Sequence, residues 1–252
     1  MRRHRRRREH GEVFDRGARR TALPPRDLRA AREVGPLDER LTAPRPPGPR
    51  PPLAPDAARR LVSAAHARAA ILVEGWSDQA ALEALARRRG LDLRAEGIAV
   101  VPIGGATNVQ RFVQVLGPHG LGVRLAGVFD VAELEHVRRG LEQGGIAAGA
   151  GAATDAAAHG FHACAADLED ELIRALGTAA VERVLDGEGE LASFRRFQDQ
   201  PAQRGRDLHG QLRRFLGTRS GRKVRYGTLL VDALDLDRVP KALDLALDDA
   251  RR

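Results

Sequence analysis

Four short apolar runs, each followed by a helical pattern, constrain this chain more than any other feature. Ala70-Ile-Leu-Val73 ends in Glu74-Gly75. Residues 98–103 lead into Gly104-Gly105, residues 124–129 end at Asp130, and residues 161–165 follow a glycine/alanine loop over residues 144–160. A continuous apolar run of this length, bounded by turn residues, suits a strand buried on both faces. Between the runs, apolar residues recur at helical spacing. In residues 78–89, Ala81, Leu82, Leu85 and Ala86 fall on one face; Ser77 is placed to cap that helix and Gly90 to close it. Further helices are expected over residues 108–116 and 132–142. Strands alternating with helices at this spacing predict an α/β fold, a Rossmann-like parallel sheet of about four strands flanked by helices. Beyond Asp167 the pattern turns helical, with segments expected over 168–176, 179–186, 190–198, 210–216 and 227–234.

Charge is unevenly distributed. The net charge is +8, and residues 1–50 alone hold 15 arginines against 7 acids, while the remainder holds 27 basic and 27 acidic side chains. The body is therefore neutral and the first segment is a basic attachment. That segment also carries Ala43-Pro-Arg-Pro-Pro-Gly-Pro-Arg-Pro-Pro-Leu-Ala-Pro55, a proline density that forbids regular structure. Residues 1–60 are expected to form a disordered Arg/Pro-rich tail, with one short helix near 27–34. It reads either as a passive extension or as an arm bound to nucleic-acid phosphates and weakened by salt. Residues 61–175 are expected to form the α/β domain and residues 176–252 a helical extension packed on it. Arginine outnumbers lysine 40 to 2, a bias of the kind a GC-rich genome imposes, so no single arginine carries much weight.

Other classes are excluded by what is missing. No stretch approaches the ~20 apolar residues of a membrane span, and no apolar run follows the basic start, so a cytoplasmic protein without membrane contact is expected. The single cysteine, Cys164, rules out an internal disulfide and a thiolate zinc cluster, and its apolar neighbours suggest a buried thiol.

In open parallel sheets, active groups collect beyond the carboxyl ends of the strands. Glu74 follows the first strand, Asp78 stands one helical turn later, Asp130 ends the third strand, and Glu133 lies three residues beyond. Carboxylates converging there would repel one another, and a hard cation such as Mg²⁺ or Mn²⁺ is a natural way to hold them together.

These residues resemble a known family. Ile71-Leu-Val-Glu74-Gly75-Trp-Ser-Asp78 is similar to the acidic opening motif of TOPRIM domains, shared by topoisomerases, bacterial primases and several nucleases. Phe129-Asp130-Val-Ala-Glu133 resembles their second, DxD-like motif. Val101-Pro-Ile-Gly-Gly-Ala-Thr-Asn108 and Ala166-Asp167-Leu-Glu169-Asp170-Glu171-Leu resemble the TOPRIM half of overcoming-lysogenization-defect (OLD) nucleases, and the likeness runs over about residues 68–235. ILVEG alone is weakly specific; the four motifs in order are far more so. The resemblance implies a metal-dependent endonuclease with Glu74, Asp130 and Lys223 as catalytic groups. One metal would sit on Glu74, Asp78 and Asp130, and a second near Asp130, Glu133, Glu169 and Asp170. It implies DNA as partner, with RNA as the second candidate, and a homodimeric assembly.

Two departures stand out. Ala132 replaces the usual second aspartate of the DxD-like motif, so a ligand is lost unless Glu133 substitutes. OLD nucleases also carry an ATPase half with a G-x-x-x-x-G-K-[ST] loop, whereas lysine occurs here only at 223 and 241 and follows glycine at neither. No ATP site is expected in this chain, and any ATPase would be a separate partner. Two alternatives to cleavage stay open: a non-catalytic nucleic-acid-binding module, and an RNA-processing or primase-like enzyme, the primase reading being disfavoured by the lack of a cysteine-rich zinc module. The direction in which Glu133 points discriminates the first of these.

Overall fold

The structure, a computed structural model, describes residues 51–146 and 154–252. The segment before residue 51, with the helix expected near 27–34, lies outside the described residues, as does the middle of the glycine/alanine loop.

The four strands form where the apolar runs predict: β1 (Ala69–Val73), β2 (Ile98–Pro102), β3 (Arg124–Asp130) and β4 (Phe161–Cys164). They pair in parallel in the order β2-β1-β3-β4, with Val73 level with Pro102 on one side and with Val128 on the other. Chain order therefore reverses at β1, and a crevice opens between the carboxyl ends of β1 and β3, the position where open α/β sheets place their ligands.

Helices cover both faces. They are α1 (Pro55–Ala64), α2 (Trp76–Arg88), α3 (Val109–Leu116), α4 (Leu134–Gln143), α5 (Thr154–Ala158), α6 (Leu168–Leu176), α7 (Thr178–Gly187), α8 (Leu191–Gln198), α9 (Leu208–Leu216), α10 (Ser220–Ala233) and α11 (Lys241–Arg251). The strand period of two divides the side chains between the faces. Ala70, Leu72, Val101 and Phe129 pack with α1, α3 and α4; Ile71, Val73, Val100 and Val128 pack with α2, α6, α10 and α11. Both layers are nearly devoid of solvent-exposed surface.

Four elements differ from the sequence expectation, the smallest being α5, which forms within the expected glycine/alanine loop. The tail was expected to run to residue 60, but α1 begins at Pro55, and its Ala58 and Val62 are fully buried. Proline at the first helical position lacks only an N–H that a helix start leaves unpaired anyway, so Pro55 starts this helix rather than preventing it. Helix α11 was not expected, although Leu243, Ala246, Leu247 and Ala250 form its buried stripe against the sheet. Helix α10 starts seven residues earlier than expected, which brings Lys223 into its first turn. Residues 176–252 and the sheet share one continuous apolar core rather than two.

Helix α10 lies directly on α2 because Gly227 presents no side chain. A methyl group there would stand 2.6 Å from the carbonyl oxygen of Ser77. Alanine gains about 1 kcal/mol over glycine in helix propensity, but overpacking a close helix contact costs about 1–3 kcal/mol, so the clash wins. Gly227→Ala is expected to lower the thermal midpoint by a few degrees and to displace Lys223, one turn earlier. Calorimetry checks the first effect; an unchanged or raised midpoint would show that the helices yield freely.

Candidate metal and phosphodiester site

Because β1 and β3 are neighbours in register, Glu74 emerges beside the end of β3, and its Oε1 accepts the backbone N–H of Asp130 at 2.9 Å. One carboxylate oxygen is thus committed to locking the two strand ends together. Asp78 sits three residues into α2, and its Oδ2 accepts the N–H of Gly75 at 2.7 Å, so Gly75, not Ser77, begins the helix and Asp78 caps it. The glycine pair that follows β2 is turned inward: the N–H groups of Gly104 and Gly105 both donate to the backbone carbonyl of Glu74. Positive φ at both positions makes this turn one for glycine, and it fixes the loop that carries Glu74 rather than facing a phosphate.

The DLEDEL segment divides its acids among separate tasks. Asp167 caps α6 by accepting the N–H of Asp170, and its other oxygen takes both Nε and Nη2 of Arg213 at 2.8 and 2.6 Å. Glu169 is 6% exposed, accepts Lys223 Nζ at 3.1 Å through Oε2, and leaves Oε1 buried with no hydrogen-bond partner. Asp170 is held by His209 at 2.7 Å and by Arg174. Glu171 accepts the N–H of Ala165.

Electrostatics gathers a subset of these groups. Burial, then the charge of Glu169, pushes the Asp78 carboxyl up to about 7. Burial, then Glu74 and Asp167, does the same for Asp130, also to about 7. Glu169 is raised by burial against the pull of Lys223. Burial works against the charge on Lys223, yet Glu169 and Asp78 hold its pKa above the ordinary lysine value. Glu74, Asp78, Asp130, Asp167 and Glu169 thus feel one another across the crevice, with one amine among them.

Of the expected ligands, Glu74, Asp78, Asp130 and Glu169 lie within electrostatic reach of one another, and Lys223, expected as a catalytic group, rests on Glu169. It does not bring in Glu133, whose carboxylate turns to His136 Nδ1 at 3.1 Å in an exposed turn, or Asp170, which is occupied by His209 and Arg174. Asp167 and Arg213 were not singled out from the sequence. The N-cap position of Asp167 ahead of three acids was a readable signal; nothing distinguished Arg213 among forty arginines.

The donor set fits a hard divalent ion in chemistry. It is oxygen only, it is self-repelling, and Glu169 Oε1 is a buried acceptor without a donor. Among the described residues, however, no three acidic, histidine or cysteine side chains already converge closely enough to hold one.

Residues 66–131 match the family model of the overcoming lysogenization defect protein-like TOPRIM domain. Over that segment the chain resembles a TOPRIM domain of the OLD-like type. Solved structures extend the likeness beyond that segment. The C-terminal region of the Xanthomonas campestris pv. campestris OLD protein is similar at 26% identity with a TM-score of 0.56, over 73% of this chain and 94% of that one. A second structure of that region gives 28% identity and a TM-score of 0.55, over 73% and 95%. The C-terminal region of the Burkholderia pseudomallei OLD protein, at 21% identity and a TM-score of 0.55 over 73% and 97%, shares the fold. No curated protein is similar enough to match. No helix among the described residues is long and apolar enough to cross a membrane.

Neutralising one member of the acidic cluster should relieve its repulsion. Asp130→Asn is expected to raise the thermal midpoint by about 2–4 °C in EDTA. Added Mg²⁺ or Mn²⁺ should then stabilise the wild type more than the variant. Scanning calorimetry with and without metal reads both; equal metal shifts would remove Asp130 from the ligand set.

Proposed function

We propose that this chain is a divalent-metal-dependent nuclease that hydrolyses phosphodiester bonds of DNA at the carboxyl ends of β1 and β3. The carrying observation is the buried, mutually repelling set of oxygen donors around Glu169, whose Oε1 has no partner. Folding gains nothing from such an arrangement, so its retention has a reason in binding. The OLD-like TOPRIM domain supports the same reading.

In this reading Glu74, Asp78, Asp130 and Glu169 would supply the oxygen ligands of the bound ions. Mg²⁺ or Mn²⁺ bound there would activate water and offset charge on the phosphate. The residues of the chain supply the frame. Glu74 keeps one oxygen on the Asp130 N–H and so fixes the spacing of the two strand ends, leaving Oε2 for an ion. Asp78 is oriented by its hydrogen bond from Gly75. Lys223 rests on Glu169 and offers a cation to the non-bridging oxygens of a phosphate, where negative charge grows during in-line attack.

A non-catalytic DNA-binding module is the second reading, and one observation favours it. Ala132 removes a carboxylate, and Glu133, which could have replaced it, is paired with His136 instead.

Cleavage of supercoiled plasmid in Mg²⁺ or Mn²⁺ separates the two. Nicking or linearisation by the wild type should fall at least about a hundredfold in Glu74→Ala and in Lys223→Met. Retention of DNA without cleavage in either metal would replace the nuclease with the binding module.

A further inference from the structure

Beside the acidic cluster lies a groove of about 550 Å³ lined by Asp167, Glu169, Arg206, Arg213, Arg214 and Lys223, together with Gly210, Gly217 and Thr218. Asp167 and Glu169 belong to both features, so the groove opens onto the cluster. Its charges do not cancel. Arg213 is spent on Asp167 and Lys223 on Glu169, which leaves Arg206 and Arg214 exposed and without an ion-pair partner among the described residues. Many arginines of the body are matched, as Arg87 is with Asp232, Arg89 with Asp244, Arg195 with Glu182 and Arg251 with Glu96. Other exposed arginines, Arg94 and Arg124 among them, also lack an ion pair among the described residues, so what sets Arg206 and Arg214 apart is their place in the groove that opens onto the acidic cluster. The lining is mostly polar and charged, which suits a hydrated, charged chain more than an apolar ligand.

We propose that this groove is a phosphate subsite for the DNA strand flanking the scissile bond, with Arg206 and Arg214 as its contacts. The proposal rests on the nuclease reading for the position of the scissile bond, but not for the binding itself. Guanidinium groups match phosphate oxygens in pairs, and two unspent ones at the mouth of a metal site would hold the backbone in register. Arg213 and Lys223, already tied to the acidic floor, keep that floor from repelling the strand.

The test measures equilibrium binding of a fluorescein-labelled 30-base-pair DNA duplex to the full chain in EDTA, so that cleavage plays no part. Arg206→Ala/Arg214→Ala is compared with Arg94→Ala/Arg124→Ala, which removes the same charge from the amino-terminal edge of the sheet. Both variants keep residues 1–50, so the contribution of that segment cancels. The groove variant should bind about tenfold more weakly, and its slope of log affinity against log salt should fall by about 1.8, the value for two phosphate contacts. Arg206→Lys/Arg214→Lys should retain most of the slope, and the control pair should change affinity less than about twofold. Equal losses in the groove and control variants, or no binding by the wild type, would overturn the proposal. So would a groove variant that binds like the wild type. A chain that binds as expected but cuts no plasmid would overturn the nuclease reading alone.

Discussion

One amine among five carboxylates governs the carboxyl edge of this sheet. Lys223 reaches Glu169 from α10, while Glu74, Asp78, Asp130 and Asp167 crowd the same crevice from β1, α2, β3 and the start of α6. The position of α10 on α2 is set by a glycine against a carbonyl, and the position of Glu74 by an N–H from Asp130 and by the two glycine amides on its own carbonyl. Each of these contacts is a backbone matter. The side chains that would do chemistry are therefore held by the parts of the structure least able to shift, which is the support a site of this kind requires.

The same arrangement explains why the sheet is so thoroughly covered. Charges that repel one another raise the free energy of the folded state, and something must offset them. The offset is apolar: both faces of the sheet are dry, and α11 seals the face shared with α2 and α10. That helix has no part in the site, yet without it Ile71, Val73, Ala126 and Val128 would lose cover on the strands that present Glu74 and Asp130.

How much of this was legible in the sequence follows from the range of each interaction. The strands were readable because a strand buried on both faces needs a continuous apolar run, a local property, and β1 to β4 fall within one residue of expectation at most ends. Helix α1 was obscured because proline density before it suggested extended chain; only tertiary contact of Ala58 and Val62 with α3 shows where the tail stops. The acidic residues were readable as a set, since topology sends every strand end to one edge. Their directions were not. Asp170 and Glu169 are adjacent, yet one turns to His209 and Arg174 and the other to Lys223, because one helical residue is a rotation of about 100°; Arg174 stands one turn on in α6 itself, while His209 and Lys223 come from the distant α9 and α10.

Glu133 shows the same limit with a functional consequence. Its spacing from Asp130 permits a ligand, but a short 3₁₀ turn over Val131–Glu133 carries it past the crevice edge and toward His136. Asp130 is left with Glu74, Asp167, Lys223 and Glu169 as its charged company, so in the proposed reading the weight of a second metal position would shift from the residues after β3 to the start of α6. Glu169 is suited to that shift: it is buried, it has one oxygen unspent, and its other oxygen is anchored by a lysine that also faces the groove where Arg206 and Arg214 lie. A family motif broken at Ala132 can thus be compatible with a working edge, provided the missing carboxylate is replaced from α6 and not from its own loop.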